Sequence, residues 1–212
     1  MIAITPKPQV LVTVFSDYIC PFCYIGHHRL AQLRDNYDLK IYWRFIEIHP
    51  ETPVEGKSVE RLGYPPEQWK VMIDNLEKMA REDGINICDR LLAANSHQAL
   101  LLAEASKEQG ADVFYRIHDR LFQAYFGEAQ NIGDKAVLKT LASECGVSDE
   151  TMERAWSDPN YENILNGNLK AAVARGVTGT PTFFIGRQRI SGAVAREVLE
   201  QAARMAVEKS EP

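Results

Sequence analysis

The chain has 212 residues, 45% of them hydrophobic, with a net charge of −5 at pH 7 and an isoelectric point near 5.6. This length and composition suit one large domain or a small domain with a sizeable insertion. The acidic balance and the absence of a Lys/Arg cluster argue against nucleic acid as a main partner, and no apolar run approaches the ~18 residues that a membrane span needs.

Residues 1–8 show no basic segment followed by a long apolar run, so the sequence predicts neither a signal peptide nor a membrane anchor. The expected compartment is therefore the cytosol, where structural disulfides are rare. Cys88 and Cys145 stand alone in the sequence and are expected to be small buried apolar residues.

The first predicted strand, Val10–Phe15, runs directly into the sequence D-Y-I-C-P-F-C-Y-I-G-H-H at residues 17–28. A helix is predicted from Pro21 to about Tyr37, with Cys20 at its N-cap and proline at the first helical position, where the missing N–H costs nothing. Cys23 then lies about 5 to 6 Å from Cys20, within the range that a disulfide tolerates. A strand followed by such a pair is typical of a redox motif.

The helix start also predicts which sulfur reacts. A thiolate at Cys20 faces free N–H groups and the positive end of the helix dipole, which together lower its pKa from ~8.5 toward 7. Cys20 is therefore the predicted nucleophile, accessible to substrate, and Cys23 the shielded resolving thiol. Two structural cysteines or a zinc site that includes His27 are the alternatives; the helix-start proline and the lack of a second cysteine pair argue against zinc.

A second strand is predicted over 39–48, and a strand–helix–strand unit implies a right-handed parallel crossover. Both strands then end at the edge that carries the cysteines, which brings Glu47 and His49 near them. Beyond Pro53 the pattern is almost wholly helical. The predicted helices cover 66–83, 96–109, 111–126, 134–144, 148–156 and 160–175.

The chain ends with features of a second half-domain. A Thr180-Pro181 dipeptide follows the last of those helices and precedes two short strands, Thr182–Ile185 and Gln188–Ser191, joined by a tight turn at Gly186. A final amphipathic helix is predicted from Val194 to about Lys209. The simplest interpretation is a discontinuous domain of residues 1–53 and 168–212, interrupted by a helical insertion of residues 54–167.

This order of elements resembles the thioredoxin fold, an α/β fold, here with a large all-helical insertion. The motifs at 17–26 and at 176–186, G-V-T-G-T-P-T-F-F-I-G, resemble those of the DsbA-like thiol:disulfide oxidoreductases, most closely the FrnE-type branch. The resemblance covers nearly the whole chain. It implies that Cys20 and Cys23 are the redox pair and that Pro181 is a cis-proline packed against them.

The same resemblance implies a substrate-binding role for Thr180, Pro181, Pro21 and Phe22. The buried acid of thioredoxin would fall on Val14, so proton transfer at Cys23 needs another group. Asp17, Glu47 and His49 are the candidates, although each carboxylate is more simply explained as a helix-start or solvent-facing group. His27 and His28 are expected on a solvated helix face.

The predicted function is a cytosolic dithiol/disulfide oxidoreductase that acts on protein or low-molecular-weight thiols and disulfides without a metal or organic cofactor. A glutathione-dependent transferase or isomerase of the kappa-class type is the first alternative, with glutathione as substrate. A non-catalytic partner-binding module is the second. The sequence leaves the direction of the reaction and the oligomeric state open, a homodimer included.

Overall fold

The computed structural model describes residues 6–88 and 92–208. Its centre is a four-stranded mixed sheet of β1 (Gln9–Ser16), β2 (Asp38–Phe45), β5 (Thr182–Ile185) and β6 (Gln188–Ser191). The strand order is β2-β1-β5-β6. Strand β1 pairs in parallel with β2 and antiparallel with β5, and β5 pairs antiparallel with β6. This topology confirms the predicted thioredoxin-like fold.

Eight α-helices lie within the described residues, and two-residue strands β3 (Lys57–Ser58) and β4 (Leu92–Ala93) form a small second sheet. The helices are α1 (Pro21–Gln32), α2 (Pro66–Asp83), α3 (His97–Ser106), α4 (Ala111–Phe122), α5 (Lys135–Glu144), α6 (Asp149–Ser157), α7 (Pro159–Ala174) and α8 (Arg196–Glu208). None of these helices is both long and apolar enough to cross a membrane.

Burial alternates along β1 as a half-buried strand requires. Val10, Val12 and Val14 are at most 2% exposed, whereas Leu11 between them is 66% exposed. Helices α1 and α8 pack against each other, and α8 also contacts β1 and β5, while α7 contacts β2. The sheet therefore holds the start of α1 at the edge where β1 ends.

One continuous cluster of buried apolar side chains extends from the sheet into the insertion, from Val12 through Leu102 to Leu138. Helix α3 is buried from Ala99 to Ser106, which places it at the centre of this cluster. The two parts of the chain thus share their core. The boundaries at 53/54 and 167/168 stay a prediction.

Several element ends differ from the predicted ones. Strand β2 ends at Phe45 instead of residue 48, because the Ile48 N–H donates to the side chain of Asp17 at 2.8 Å and not to a neighbouring strand. Helix α4 ends at Phe122 instead of residue 126, and a π-helical turn over Gln123–Gly127 follows it. The β3–β4 pair was not predicted, since two-residue strands carry no periodicity.

Helix termini follow the predicted chemistry in most places. Gly84 ends α2 with φ +66°, and the side chains of Asp134 and Ser148 cap α5 and α6. Ser96 is an exception, because its side chain makes no capping bond and Asn95 Oδ1 accepts the His97 N–H at 2.9 Å instead. The predicted helix end at Lys209 and the leader prediction for residues 1–5 lie outside the described residues.

Candidate active site

The cysteine pair lies at the start of α1, as the sequence predicts. Cys20 is the N-cap and Pro21 the first helical residue, and the N–H groups of Cys23 and Tyr24 donate to the Cys20 carbonyl at 3.0 and 3.3 Å. Both cysteines are largely buried, but in the predicted order, with 5% of Cys20 exposed against 1% of Cys23. Cys20 nevertheless lines a cavity, as described below.

The environment separates the two thiols electrostatically. A hydrogen bond from the Cys23 thiol lowers the pKa of Cys20 below its usual value, in opposition to burial. Burial raises the pKa of Cys23 well above that of a free thiol, and its hydrogen bond to Cys20 raises it further. Cys20 is therefore the sulfur that ionises first, which is the order required for a nucleophile and a resolving thiol.

The Thr180-Pro181 loop lies against the first cysteine. Its peptide bond is cis, and the Cys20 thiol donates to the Thr180 carbonyl at 3.4 Å across 160 residues of sequence. Two distant segments thus meet at one sulfur atom. The backbone of Thr180 is in position to bind a chain or ligand that approaches Cys20.

Gly26 explains how closely α1 approaches this loop. A Cβ atom at Gly26 would lie 2.9 Å from Cζ of Phe183 and 3.1 Å from Cγ of Pro181, both buried. The helix packs against the loop only because this position has no side chain.

We expect Gly26→Ala to lower the free energy of unfolding by about 1–3 kcal/mol, because the methyl group overpacks a closed contact. Urea unfolding measures the change. Gly167→Ala on α7 is the matched control, since nothing lies within 4 Å of its Cβ position and no positive φ is required. The control is expected to stabilise the protein slightly; equal effects at both positions would contradict the packing argument.

Asp17, three residues before Cys20, departs from expectation. It is fully buried, not solvent-facing, and its carboxylate accepts the N–H groups of Ile48 at 2.8 Å and Ile19 at 3.3 Å. Burial raises the pKa of Asp17 to about 7, even though these hydrogen bonds oppose the shift. The backbone N–H of Asp17 also faces the Cys23 sulfur and favours its thiolate. Asp17 is thus a buried acid whose backbone adjoins the redox pair.

Glu47 takes part in a charge cluster that the sequence did not predict. The His97 imidazole lies between two carboxylates, with Nδ1 2.9 Å from Glu47 and Nε2 2.7 Å from Glu162. The hydrogen bond to Glu47 is the main reason that the pKa of His97 rises to about 9. This cluster joins the end of β2 to the first turns of α3 and α7. Glu47 therefore holds the His97 ring, and its role in proton transfer stays a prediction.

We expect His97→Gln to destabilise the protein by about 1–2 kcal/mol at pH 6, after allowance for solvent screening. The folded pKa of about 9 lies above the unfolded value of 6.5, so this stability is complete below pH 6.5 and is lost as pH rises through 9. Urea unfolding at pH 6 and pH 10 tests the difference, which should vanish at the higher pH. A difference that is the same at both pH values would show that the charge of His97 plays no part. Lys70→Gln, which removes an exposed pair with Asp74, is the control and should change little.

His49 lies near the cysteines, as the sequence predicts, whereas His27 departs from expectation. His49 contacts the Tyr64 hydroxyl at 3.2 Å and Glu51 at 3.3 Å, and it lines the same cavity as Cys20. His27 is not on a solvated face, because its side chain is 13% exposed and contacts Asp119 at 2.7 Å. It therefore points into the contact between α1 and α4.

Tyr18, inside the cysteine motif, has a partner that sequence reasoning missed. Its hydroxyl lies 2.7 Å from Nδ1 of His118 on α4, and both side chains are fully buried. Burial raises the pKa of Tyr18 and lowers that of His118, so both are neutral at physiological pH. No local signal links residues 100 positions apart. The contact fixes the loop before Cys20 to the insertion.

A cavity of about 1050 Å³ opens beside Cys20. Five predicted site residues line it: Cys20, Pro21, Phe22, His49 and Thr180. Cys88 also lines this cavity and is only partly buried, whereas the sequence predicts a buried residue. Its thiol donates to the Gly127 carbonyl at 2.8 Å. Cys145, by contrast, is 6% exposed, as expected.

A mixed sheet with a Cys-x-x-Cys pair at a helix start, facing a Thr-Pro loop, defines a thioredoxin-like protein. The chain belongs to the DSBA-like thioredoxin domain family, whose model matches residues 11–204. Members of this family are oxidoreductases or isomerases. The FrnE-type branch stays a prediction.

Three similar proteins illustrate the range of the family. The uncharacterized protein YwbO of Bacillus subtilis is 28% identical over 194 residues, which cover 91% of this chain and 95% of YwbO. The 2-hydroxychromene-2-carboxylate isomerase of Pseudomonas putida is 24% identical and covers 91% of this chain and 94% of its own. The crystal structure of the probable DsbA oxidoreductase SCO1869 from Streptomyces coelicolor superposes with a TM-score of 0.83 at 24% identity, covering 96% of this chain and 92% of that one.

Proposed function

We propose that the protein is a thiol:disulfide oxidoreductase that exchanges the Cys20–Cys23 dithiol with the disulfides of proteins or small molecules. The observation that carries the proposal is the pair itself: two sulfurs in hydrogen-bonding contact at a helix start, the outer one beside a substrate-sized cavity and with its pKa lowered. No metal or organic cofactor takes part. The cytosolic location stays a prediction from the sequence.

The reaction follows from the order in which the thiols ionise. The Cys20 thiolate attacks one sulfur of a substrate disulfide; a bond forms between them, and the other substrate sulfur leaves with the electron pair as a thiolate. Cys23 then loses its proton and attacks Cys20, which releases the second substrate thiolate. The enzyme is oxidised to the Cys20–Cys23 disulfide and the substrate takes up two electrons and two protons. Oxidation of a dithiol is the same path reversed.

Asp17 accepts the proton of Cys23 in this scheme. Asp17 is fully buried, its backbone N–H faces the Cys23 sulfur, and a pKa of about 7 suits a group that gains and loses a proton at neutral pH. The Thr180 carbonyl and the cavity wall at Pro21 and Phe22 orient the substrate toward Cys20. Glu47 holds the end of β2 in place through His97, and His49 is part of the cavity wall.

Equilibration in glutathione redox buffers tests the proposal. The expected result is an intramolecular Cys20–Cys23 disulfide in the peptide map and reduction of insulin or oxidation of a dithiol peptide at a rate above background. Failure of both reactions, together with absence of the intramolecular disulfide, would exclude an oxidoreductase.

The similarity to 2-hydroxychromene-2-carboxylate isomerase supports a second candidate, a glutathione-dependent transferase or isomerase. In that reaction Cys20 would hold the glutathione sulfur and Cys23 would not be needed. Turnover of an electrophile with glutathione by the Cys23→Ser protein would favour this candidate over exchange. The close contact of the two sulfurs favours exchange.

A further inference from the structure

The cavity beside Cys20 has the dimensions of a small-molecule site. Its volume of about 1050 Å³ is at the upper end of the range for small-molecule sites. Cys20 lies at its wall with 5% of its surface exposed, between the start of α1 and helix α2 of the insertion. A small molecule that enters the cavity meets this sulfur at the cavity wall.

The face of α2 toward the cavity is apolar and incompletely covered. Trp69, Met72, Ile73 and Leu76 recur at helical spacing and all line the cavity, but only Leu76 is buried. The first three are half-buried: Ile73 also packs on the buried cluster around Leu76, and the Trp69 ring lies 5.9 Å from the ring of Tyr64. A ligand with apolar substituents would complete the burial of this face.

Helix α7 provides a second apolar wall. Leu169 and Val173 lie one turn apart, line the cavity, and are 51% and 72% exposed. Exposed apolar side chains that are grouped at a cavity often mark a binding surface, whereas single exposed ones are ordinary. The two helices therefore offer apolar surface on two sides of the reactive sulfur.

The charged side chains of the described cavity lining already have partners. Arg81, the one Lys or Arg side chain of the described lining, pairs with Glu77 at 3.5 Å, and the His49 ring lies 3.3 Å from Glu51, so the described lining offers a substrate carboxylate no unpaired Lys or Arg. Glutathione carries two carboxylates and an ammonium group, each of which needs a partner when it leaves water. The lining thus disfavours glutathione and favours neutral apolar molecules.

We propose that the cavity formed by α2, α7 and the start of α1 binds low-molecular-weight disulfides and thiols with aromatic or branched aliphatic substituents, and that these molecules are the preferred substrates of Cys20. This inference rests on the proposed function. Cys20 attacks the sulfur that bears the apolar group, a Cys20–substrate bond forms, and the other thiolate leaves with the electron pair. Cys23 then releases the apolar thiol, and a cellular dithiol reduces the enzyme disulfide for the next cycle.

Mixed disulfides with a common 2-pyridyl leaving group test this specificity. In each mixed disulfide the other thiol component carries a benzyl, 2-hydroxyethyl or glutathionyl group. The second-order rate constant of the reduced protein with each disulfide is divided by the rate constant of N-acetylcysteine with the same disulfide, which removes differences in the intrinsic reactivity of the disulfides. We expect a normalised preference of at least about tenfold for benzyl over 2-hydroxyethyl, and a lower value for glutathionyl. A normalised ratio near one, or fastest reaction with glutathionyl, overturns the inference while exchange at Cys20 still supports the oxidoreductase.

Variants on α2 locate the preference. Met72→Gln keeps the size and helix propensity of the side chain but makes the cavity wall polar, and should reduce the benzyl preference about three- to fivefold. Val71→Gln is the matched control, because Val71 is 60% exposed on the same helix and is not part of the cavity lining. Equal ratios in both variants contradict the proposed site.

Trp69→Gln gives a second measurement should Met72→Gln fail to fold, and the wild-type ratio alone decides the substrate class. If no disulfide reacts at Cys20, the proposed function itself fails.

Discussion

Replacement of Cys20 by serine is expected to reduce disulfide exchange to the uncatalysed rate, a loss of at least about a thousandfold, because the alcohol has no accessible anionic form at neutral pH. Cys23→Ser should keep the first step and stop at a stable mixed disulfide between Cys20 and substrate. Insulin reduction and intact-mass spectrometry measure the two effects.

Cys145→Ala is the control for this pair of variants. Cys145 lies in the insertion, is not part of the cavity lining and should leave exchange unchanged. A Cys20→Ser protein with more than a few per cent of wild-type activity would show that another thiol reacts, and Cys88 would then be the residue to replace.

Asp17→Asn is expected to slow the step in which Cys23 resolves the mixed disulfide, by about a hundredfold at pH 8, since a positioned base typically contributes 10² to 10⁴. In the wild-type protein this rate should rise as Asp17 ionises near pH 7, and in the variant that rise should be absent. Rapid-mixing experiments from pH 5 to 9 measure it. Asp74→Asn on the outer face of α2 is the control; an unchanged pH profile in Asp17→Asn would remove Asp17 from the mechanism.

The same substitution should stabilise the protein at pH 8. The folded pKa of Asp17, about 7, lies above its unfolded value of 3.8, so the stability linked to this group is complete below pH 3.8 and is lost as pH rises through 7. We expect Asp17→Asn to raise the free energy of unfolding by about 1–3 kcal/mol at pH 8, because it removes a buried charge, and to lower it at pH 4, because the amide has one acceptor oxygen for the N–H groups of Ile19 and Ile48. Slower chemistry together with higher stability would identify a group kept for function at a cost to the fold.

Much of the fold was predictable because its signals are local. The alternation of Val10, Val12 and Val14 identifies β1, and a proline marks the start of α2 while a glycine marks its end. The cysteine spacing alone places the two sulfurs on one helix turn. These features depend on residues within a few positions of each other.

The details of the site were less predictable because they depend on distant residues. The buried carboxylate of Asp17 accepts a hydrogen bond from Ile48, 31 positions away in the sequence, and the partners of His97 are 50 and 65 positions away. A carboxylate before a helix is most often a solvated cap, so composition and spacing favoured the wrong environment for Asp17. The enclosure of Cys20 likewise depends on an insertion helix whose position no local pattern specifies.

The contact between Cys20 and Thr180 has a consequence for the newly made chain. The two residues are 160 positions apart, and translation proceeds at roughly 5–20 residues per second, so Cys20 emerges from the ribosome roughly 8–32 s before its partner loop exists. During synthesis the pair has neither the Thr180 carbonyl nor the walls of α2 and α7 around it. The nascent polypeptide therefore presents two unshielded thiols to whatever oxidants surround the ribosome, and selectivity arises only once residue 180 has been made.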